Sequence, residues 1–322
     1  MIYDLAVVGG GPAGLSAAVQ ARVRGKSVLI VSGDVRDNAL YKAQRVDNYL
    51  GLPETGGGAL LERFRRHAQA LGAQWKSGRV LNILPSGGTF YLGIGSDMTQ
   101  ARALVLATGV VRTRKYPGEE AHLGRGVSYC ATCDGMLYRG RAVAVVGKSA
   151  DAPEEANYLQ SIGCRVTYVS DRVPEGLEAA IPFVKAAKLE ITGEAGVEAL
   201  RADGRMLPCA GVFILRPAMA LADLLPDLAL KDGYIAVDRN MATNLPGVFA
   251  AGDCTGLPLQ VSKAVGEGQV AGHRAAEYLD QLNASFSSLN SALEVYFEKL
   301  QEAQGAGQDA IGELGIDLKG NQ

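Results

Sequence analysis

Cys130 and Cys133 stand three residues apart in the stretch Cys130, Ala131, Thr132, Cys133, Asp134, Gly135. Two thiols at this spacing close a small disulfide ring and reopen it by exchange with another dithiol. The other chemistry open to a CxxC is half of a tetrahedral zinc site, which needs a second pair of ligands. Cys164, Cys209 and Cys254 are scattered singly and no second CxxC is present. No metal site is therefore expected, and the three single cysteines read as small core residues.

The elements around this pair come from an internal repeat. The segments Leu5–Ser32 (LAVVGGGPAGLSAAVQARVRGKSVLIVS) and Val143–Ser170 (VAVVGKSADAPEEANYLQSIGCRVTYVS) align without a gap. Gly9 then matches Gly147, Gly25 matches Gly163 and Ser32 matches Ser170. Each copy reads as an apolar strand, a tight turn, a helix and a second strand, which is a βαβ dinucleotide unit. The fold class that follows is α/β, with two Rossmann-like dinucleotide-binding-type domains in three-layer β/β/α form.

The first copy carries the whole glycine pattern, Gly9, Gly11 and Gly14, between a strand and a helix. These glycines serve the tight turn, the approach of a pyrophosphate and the close packing of helix on strand. The helix start then presents free N–H groups to an anion. Asp34, after the second strand, is either a ribose contact or a solvated loop acid. The second copy is eroded. Ser149 puts a side chain where a pyrophosphate must come close, Ala152 replaces the third glycine, and Asp151 adds a negative charge at the helix start. The stretch Ser170, Asp171, Arg172 and Val173 lacks the clustered arginines that would read a 2′-phosphate, although Asp171 is suited to a ribose hydroxyl. An intact nucleotide site ahead of a CxxC and an eroded second site points to electrons passing from a flavin to a disulfide, with pyridine nucleotide disfavoured.

Two more segments bear on the flavin. A buried strand runs from Ala101 to the turn Ala107, Thr108 and Gly109, and another leads through Val248 and Phe249 to Gly252, Asp253 and Cys254. An acid at a strand's carboxyl end, before a helix, is suited to a ribityl hydroxyl.

The combination GGGPAG, ATG, CATCDG and GVFAAGDC resembles the low-molecular-weight thioredoxin reductases over roughly residues 1–282. That resemblance implies a homodimer with non-covalent FAD. It implies that the second domain is inserted in the first, with an FAD-binding domain from residues 1–112 and 216–285, an inserted CxxC domain at 113–215 and a C-terminal helical tail at 286–322. By position, Cys133 should face the flavin, Cys130 should attack the partner disulfide and Asp134 should serve as acid/base. Gly9, Gly11, Pro12, Ala13, Gly14, Asn48, Val80, Thr108, Gly109, Gly252, Asp253, Gln260 and Val261 should line the FAD. The departures are the missing NADPH pattern, a short inserted segment from Asp134 to Leu215, the stretch Ile214, Leu215, Arg216, Pro217 and Ala218 at the return, and a tail beyond Leu282. They resemble the ferredoxin-dependent flavin thioredoxin reductases, which dispense with NADPH. Thioredoxin is then the expected acceptor and ferredoxin the expected donor. The readings left beside this one are an NADH- or NADPH-linked reductase with a divergent site, a diflavin disulfide oxidoreductase with a second FAD in the eroded site, and a redox-sensing flavoprotein without turnover.

Because one disulfide must meet both flavin and a bulky partner, hinges are expected near Val111–Arg114 and Leu215–Pro217. Arg63, Arg65 and Arg66, and separately Arg112, Arg114 and Lys115, form basic clusters suited to an acidic electron carrier. In the tail, Leu289, Leu293, Tyr296, Phe297 and Leu300 share a helical stripe, and Gly305 and Gly307 are expected to end that helix. With 48% apolar and 20% charged residues and a net charge of -2, the 322-residue chain suits a globular protein that binds neither nucleic acid nor membrane. Met1 and Ile2 run straight into a strand, leaving no room for a signal peptide, and the expected location is the cytoplasm.

Overall fold

The computed structural model describes residues 1–110, 115–217 and 221–313. The expected hinge at Val111–Arg114, and with it Arg112 and Arg114, lies outside the described residues. The chain divides into two compact units, Met1–Ala276 and Glu277–Gln322.

The first unit opens with strand β1 (Ile2–Val8), helix α1 (Pro12–Val23) and strand β2 (Val28–Ser32). Leu5 to Val8 are buried on both faces, as a central parallel strand requires. Helix α2 (Gly57–Ala70) and strand β3 (Gln74–Ser77) follow, then the antiparallel run β4 (Val80–Ser86), β5 (Thr89–Ile94) and β6 (Asp97–Leu106). Strand β6 is shared by the parallel and antiparallel parts of one seven-stranded sheet. Asp97–Ala101 pair antiparallel with β5, and Gln100–Leu106 pair parallel with β1. The Leu104–Leu106 end also takes a later strand, Val248–Ala250, on the side that β5 has left.

The second half of this unit repeats the plan. Strand β7 (Val127–Ser128) leads into helix α3 (Ala131–Asp134), strand β8 (Ala142–Gly147), helix α4 (Ala152–Ser161), strand β9 (Arg165–Ser170) and strand β10 (Phe183–Lys185). A three-stranded antiparallel sheet, β11 (Leu189–Thr192), β12 (Ala199–Ala202) and β13 (Arg205–Pro208), precedes β14 (Gly211–Leu215). The parallel order is β10-β9-β8-β14-β7. Alternation assigns its faces. Val143, Val145, Phe213 and Leu215 pack on Ala152, Ala156 and Leu159 of α4. Ala144, Val146, Val212 and Ile214 pack on Leu189, Ile191 and Leu200 of the antiparallel sheet. The two βαβ units read in the sequence are therefore present, in a mixed α/β fold with parallel sheets.

The chain returns through helix α5 (Leu221–Leu224), the short pair β15 (Leu230–Lys231) and β16 (Tyr234–Ile235), strand β17 (Val248–Ala250) and helix α6 (Val261–Glu313). Within the first unit, α6 lies against α1 almost backbone to backbone. A Cβ on Gly268 would stand 2.1 Å from Ala13 O, and one on Gly272 2.3 Å from Ala17 O. The two glycines and the two alanines each recur at four-residue spacing, so one groove is continuous along both helices.

In the second unit, α6 does not end at Gly305 or Gly307 but runs to Glu313. An interior glycine costs about 1 kcal/mol yet still donates its backbone hydrogen bond, and Ala303, Ala306 and Ala310 around it favour helix. Leu293 of the expected stripe is exposed. The side chains of Leu289, Tyr296, Phe297 and Leu300 lie outside the described residues.

Gly268→Ala should lower stability by about 1–3 kcal/mol, because the clash is with backbone and no rotamer relieves it. Gly266→Ala, with nothing within 4 Å of its would-be Cβ, should raise stability by up to about 1 kcal/mol. Urea midpoints of the two variants check this pair of opposite signs.

Candidate active site

Three turns meet at the carboxyl ends of the first sheet. Gly9 N donates to Val31 O (2.8 Å), Ala107 N to Val8 O (2.8 Å) and Ala251 N to Leu106 O (3.0 Å). These bonds continue the strand ladders and pin Gly9–Gly11, Ala107–Gly109 and Gly252–Asp253 side by side, where ligands bind in open α/β sheets. Gly9 has φ +114°, and a Cβ there would lie 2.2 Å from Ala107 O, so the first and second turns touch only because this residue is glycine. Pro12 opens α1 at its first turn, and that turn has no side-chain cap and no acid. Its N–H groups are thus free for an anion. Ala13 is buried between this turn and α6.

The remaining expected binding residues gather around these turns. Asn48 Nδ2 donates to Gln260 Oε1 (2.7 Å), joining a long loop to the residue just before Val261 and α6. Thr108 Oγ1 is buried without a hydrogen-bond partner of normal geometry. A buried hydroxyl left in that state fits a site that a polar ligand completes. Lys263 fastens the third turn through Gly252 O (2.8 Å) and Gly256 O (2.7 Å), and Glu267 accepts from Gly252 N (2.9 Å). Burial pushes the Asp253 carboxyl above its ordinary value, with Lys263 opposing and Glu267 adding to the rise. Val80 packs in the apolar core with Ile83, Leu92 and Ile94. The arrangement fits a flavin dinucleotide, with a capless helix start for the pyrophosphate and an acid at a strand end for a ribityl hydroxyl.

Asp34 is occupied locally. It caps its own turn through Arg36 N (2.7 Å) and pairs with the Arg36 side chain. The Arg36 hydrogen bonds hold its carboxyl below the usual aspartate value, against burial. Asp171 pairs with Lys148 Nζ at 3.3 Å. The basic cluster on α2 is also committed in part: Arg66 pairs with Glu62 (2.9 Å), and Arg65 lies over Trp75 (5.5 Å).

Cys130 and Cys133 form a disulfide at the start of α3. Cys130 is buried at 7% exposure, whereas Cys133 is exposed. Cys133 Sγ lies 2.9 Å from Gly95 O in the β5–β6 turn, which is itself tied to the end of β3 by Lys76 Nζ and Asp97 Oδ2 (2.8 Å). The disulfide of the second sheet is thus seated on the first. Ser128, unmarked in the sequence, organises the site. Its buried Oγ donates to Asp134 Oδ2 (2.6 Å) and accepts from Cys130 N (3.1 Å), so one hydroxyl fixes the acid relative to the disulfide.

A buried pair backs this seat. Glu119, fully buried, accepts from Arg216 Nη1 (2.7 Å) and Nη2 (2.8 Å), from Tyr116 N (2.8 Å) and from Tyr129 OH (2.9 Å). Burial works to raise the Glu119 carboxyl, and Arg216 with the two tyrosine donors outweighs it, so the carboxyl titrates below its ordinary value. Arg216 belongs to the expected return hinge, and Tyr129 adjoins Cys130. Neither role has a sequence signal, since the pairing spans 97 residues.

At the second nucleotide-type turn, Lys148 N and Ser149 N both donate to Leu215 O (2.9 and 3.0 Å). Asp151, Glu154 and Glu155 crowd the start of α4. Ala150 N is taken by both oxygens of Asp37 (3.1 and 3.2 Å), a residue of the first half. The first copy offers bare amides to an anion; the second surrounds them with carboxylates. Among the described residues no group of His, Cys, Asp or Glu could hold a metal ion, and no helix is long and apolar enough to cross a membrane.

Residues 3–268 match the family model described as pyridine nucleotide-disulphide oxidoreductase. A thioredoxin reductase of Listeria monocytogenes is 32% identical over 309 residues, covering 89% of this chain and 97% of the relative. The crystal structure of a ferredoxin-flavin thioredoxin reductase from Clostridium acetobutylicum superposes with a TM-score of 0.83 at 37% identity, covering 88% of this chain and 99% of that one. The structure of a thioredoxin reductase from Gloeobacter violaceus superposes with a TM-score of 0.78 at 32% identity, over 87% and 94% of the two chains.

Glu119→Gln should cost about 3–5 kcal/mol at neutral pH, since it leaves the Arg216 charge buried without its partner. Glu119 titrates lower when folded, so its contribution is complete above the ordinary glutamate value of about 4.3 and is lost as pH falls through the folded value. Denaturant unfolding at a series of pH values should show the gap between wild type and variant closing below that point.

Proposed function

The chain belongs to the pyridine nucleotide-disulphide oxidoreductase family and is a thioredoxin reductase-type flavoenzyme; on that premise we propose that it reduces thioredoxin with electrons from ferredoxin, without NADPH. The observation that carries the donor assignment is the start of α4. A pyrophosphate arriving there meets Glu154, finds Asp151 and Glu155 already paired with Arg79, and finds the Ala150 amide held by Asp37. Like charges at a helix N-terminus oppose an anion that the bare start of α1 attracts. The crystal structure of the Clostridium acetobutylicum ferredoxin-flavin enzyme, similar along nearly its whole length, supports the same choice.

The proposed cofactor is non-covalent FAD, held by Gly9, Gly11, Pro12, Ala13, Gly14, Asn48, Val80, Thr108, Gly109, Gly252, Asp253, Gln260 and Val261. We assign it to a domain of residues 1–112 and 216–285, with the disulfide on the inserted segment 113–215. When bound, it accepts single electrons from an iron–sulfur donor and passes them on in pairs. The residues of the chain then act in order. Cys133, the exposed sulfur, receives the electron pair as the Cys130–Cys133 bond breaks. Asp134, aligned by Ser128, holds or releases the proton that accompanies Cys130. The Cys130 thiolate attacks a disulfide sulfur of thioredoxin and forms a mixed disulfide. Cys133 thiolate then attacks Cys130 Sγ, which re-forms the internal disulfide and frees thioredoxin as the dithiol. Two electrons and two protons have passed to thioredoxin. We further assign the enzyme to the cytoplasm and to a homodimer.

Anaerobic mixing with photoreduced plant-type ferredoxin should bleach the flavin band, whereas NADPH and NADH should leave it unchanged. Rapid bleaching by either nucleotide would mean that the start of α4 admits a pyrophosphate after all.

A further inference from the structure

Arg79 sits between β3 and β4 in the first half, yet its side chain lies in the second, only 8% exposed. Its Nη1 donates to Ser149 Oγ (2.8 Å) and Arg216 O (2.8 Å) and stands 3.5 Å from Asp151 Oδ1. Its Nη2 pairs with Glu155 Oε1. Every one of these acceptors belongs to the eroded nucleotide-type turn, to the helix it opens, or to the strand end beside it. The changes that spoil this turn for a pyrophosphate are therefore the ones that make it a seat for a guanidinium. Ser149 supplies a hydroxyl, and Asp151 and Glu155 supply carboxylates. Asp37 completes the contact from the same half by taking the Ala150 amide.

The seat is connected to the disulfide on both sides. The second oxygen of Glu155 accepts from Ala131 N (3.3 Å), the first residue of α3. Arg79 also directly precedes Val80, whose ladder partner Ile94 directly precedes Gly95. One hairpin end of the first half thus holds α4 through Arg79 and touches Cys133 through Gly95 O. Arg216, whose carbonyl Arg79 engages, carries the guanidinium that pairs with Glu119, and Glu119 in turn binds Tyr129, next to Cys130.

We propose that Arg79 is a positioning residue for disulfide exchange: with Asp37 it latches the eroded nucleotide-type turn onto the first half, and so keeps Cys133 seated at Gly95 and Cys130 covered. This rests on the reading of Cys130–Cys133 as the redox disulfide. Release of the latch is the step that uncovers Cys130 for a protein partner. The same contact fills the place of a pyrophosphate, so positioning of the disulfide and rejection of nucleotide are one interaction.

The test is thiol alkylation of the FAD-loaded full chain after reduction with dithiothreitol, with Cys130 and Cys209 followed by peptide mass spectrometry. Cys209 is buried in the core between β8, β14 and the antiparallel sheet, so its labelling reports loss of structure within the second half. Arg79→Ala should speed Cys130 labelling by about tenfold or more, as loss of a buried ion pair implies, while Cys209 stays protected. Arg79→Lys, which keeps the charge, should restore most of the protection. Asp37→Asn should give a smaller rise at Cys130, again without Cys209. Unchanged Cys130 labelling in Arg79→Ala would overturn the latch. So would Cys130 and Cys209 rising together, which would make Arg79 a stabilising residue only. Neither ferredoxin nor a nucleotide enters the measurement, so its outcome is independent of which of them reduces the flavin.

Discussion

One disulfide cannot be sealed against the first half of this chain and open to a second protein at the same time. Cys130 is covered and Cys133 rests at Gly95, an arrangement that suits transfer within the chain and excludes a bulky partner. The rest of the unit reads as a response to that steric constraint. The halves are joined not by a broad apolar seam at this point but by charges: Arg79 among Ser149, Asp151 and Glu155, and Asp37 on the Ala150 amide. Buried ion pairs contribute little net stability beside a hydrophobic contact of similar volume, because desolvation offsets most of the Coulomb gain. They are nonetheless specific, since the Arg79 guanidinium must meet Ser149, Asp151 and Glu155 at fixed positions. A joint of this kind fixes one arrangement closely without making its opening prohibitive.

The same βαβ unit is used twice for opposite ends. In the first copy, α1 begins with Pro12, no acid and no side-chain cap, and its amides face a crevice formed by three strand ends. In the second, α4 begins with three carboxylates and an amide already taken. The order of strand, turn, helix and strand is the same, but the first helix start is bare, whereas the second is filled by side chains from another part of the chain.

Much of this was legible in the sequence because it is local or repetitive. The ungapped repeat gave both βαβ units, the glycine pattern gave the first turn, and the spacing of Cys130, Cys133 and Asp134 gave the redox pair. Ser149 and Asp151 were readable as damage to a nucleotide site but not as ligands for Arg79, which lies about 70 residues away. The Glu119–Arg216 pair was hidden for the same reason, since a contact across 97 residues leaves no periodic or motif signal, whereas Ser128 bonds locally to Cys130 and Asp134 but is a lone serine outside any motif. The Val80 side chain packs with Ile94 across the ladder, a pairing that the sequence alone does not reveal. Gly305 and Gly307 were expected to stop a helix that continues through them, since glycine weakens a helix without removing a hydrogen bond.

The central claim is that the chain's own side chains fill the second nucleotide-type turn. Calorimetric titration of the oxidised, FAD-loaded protein with NADPH and with NADH addresses it most directly. The account predicts no saturable binding of either nucleotide. Stoichiometric binding at micromolar affinity would contradict it, because Arg79 and Asp37 would then have to leave the turn for a ligand that its carboxylates should repel.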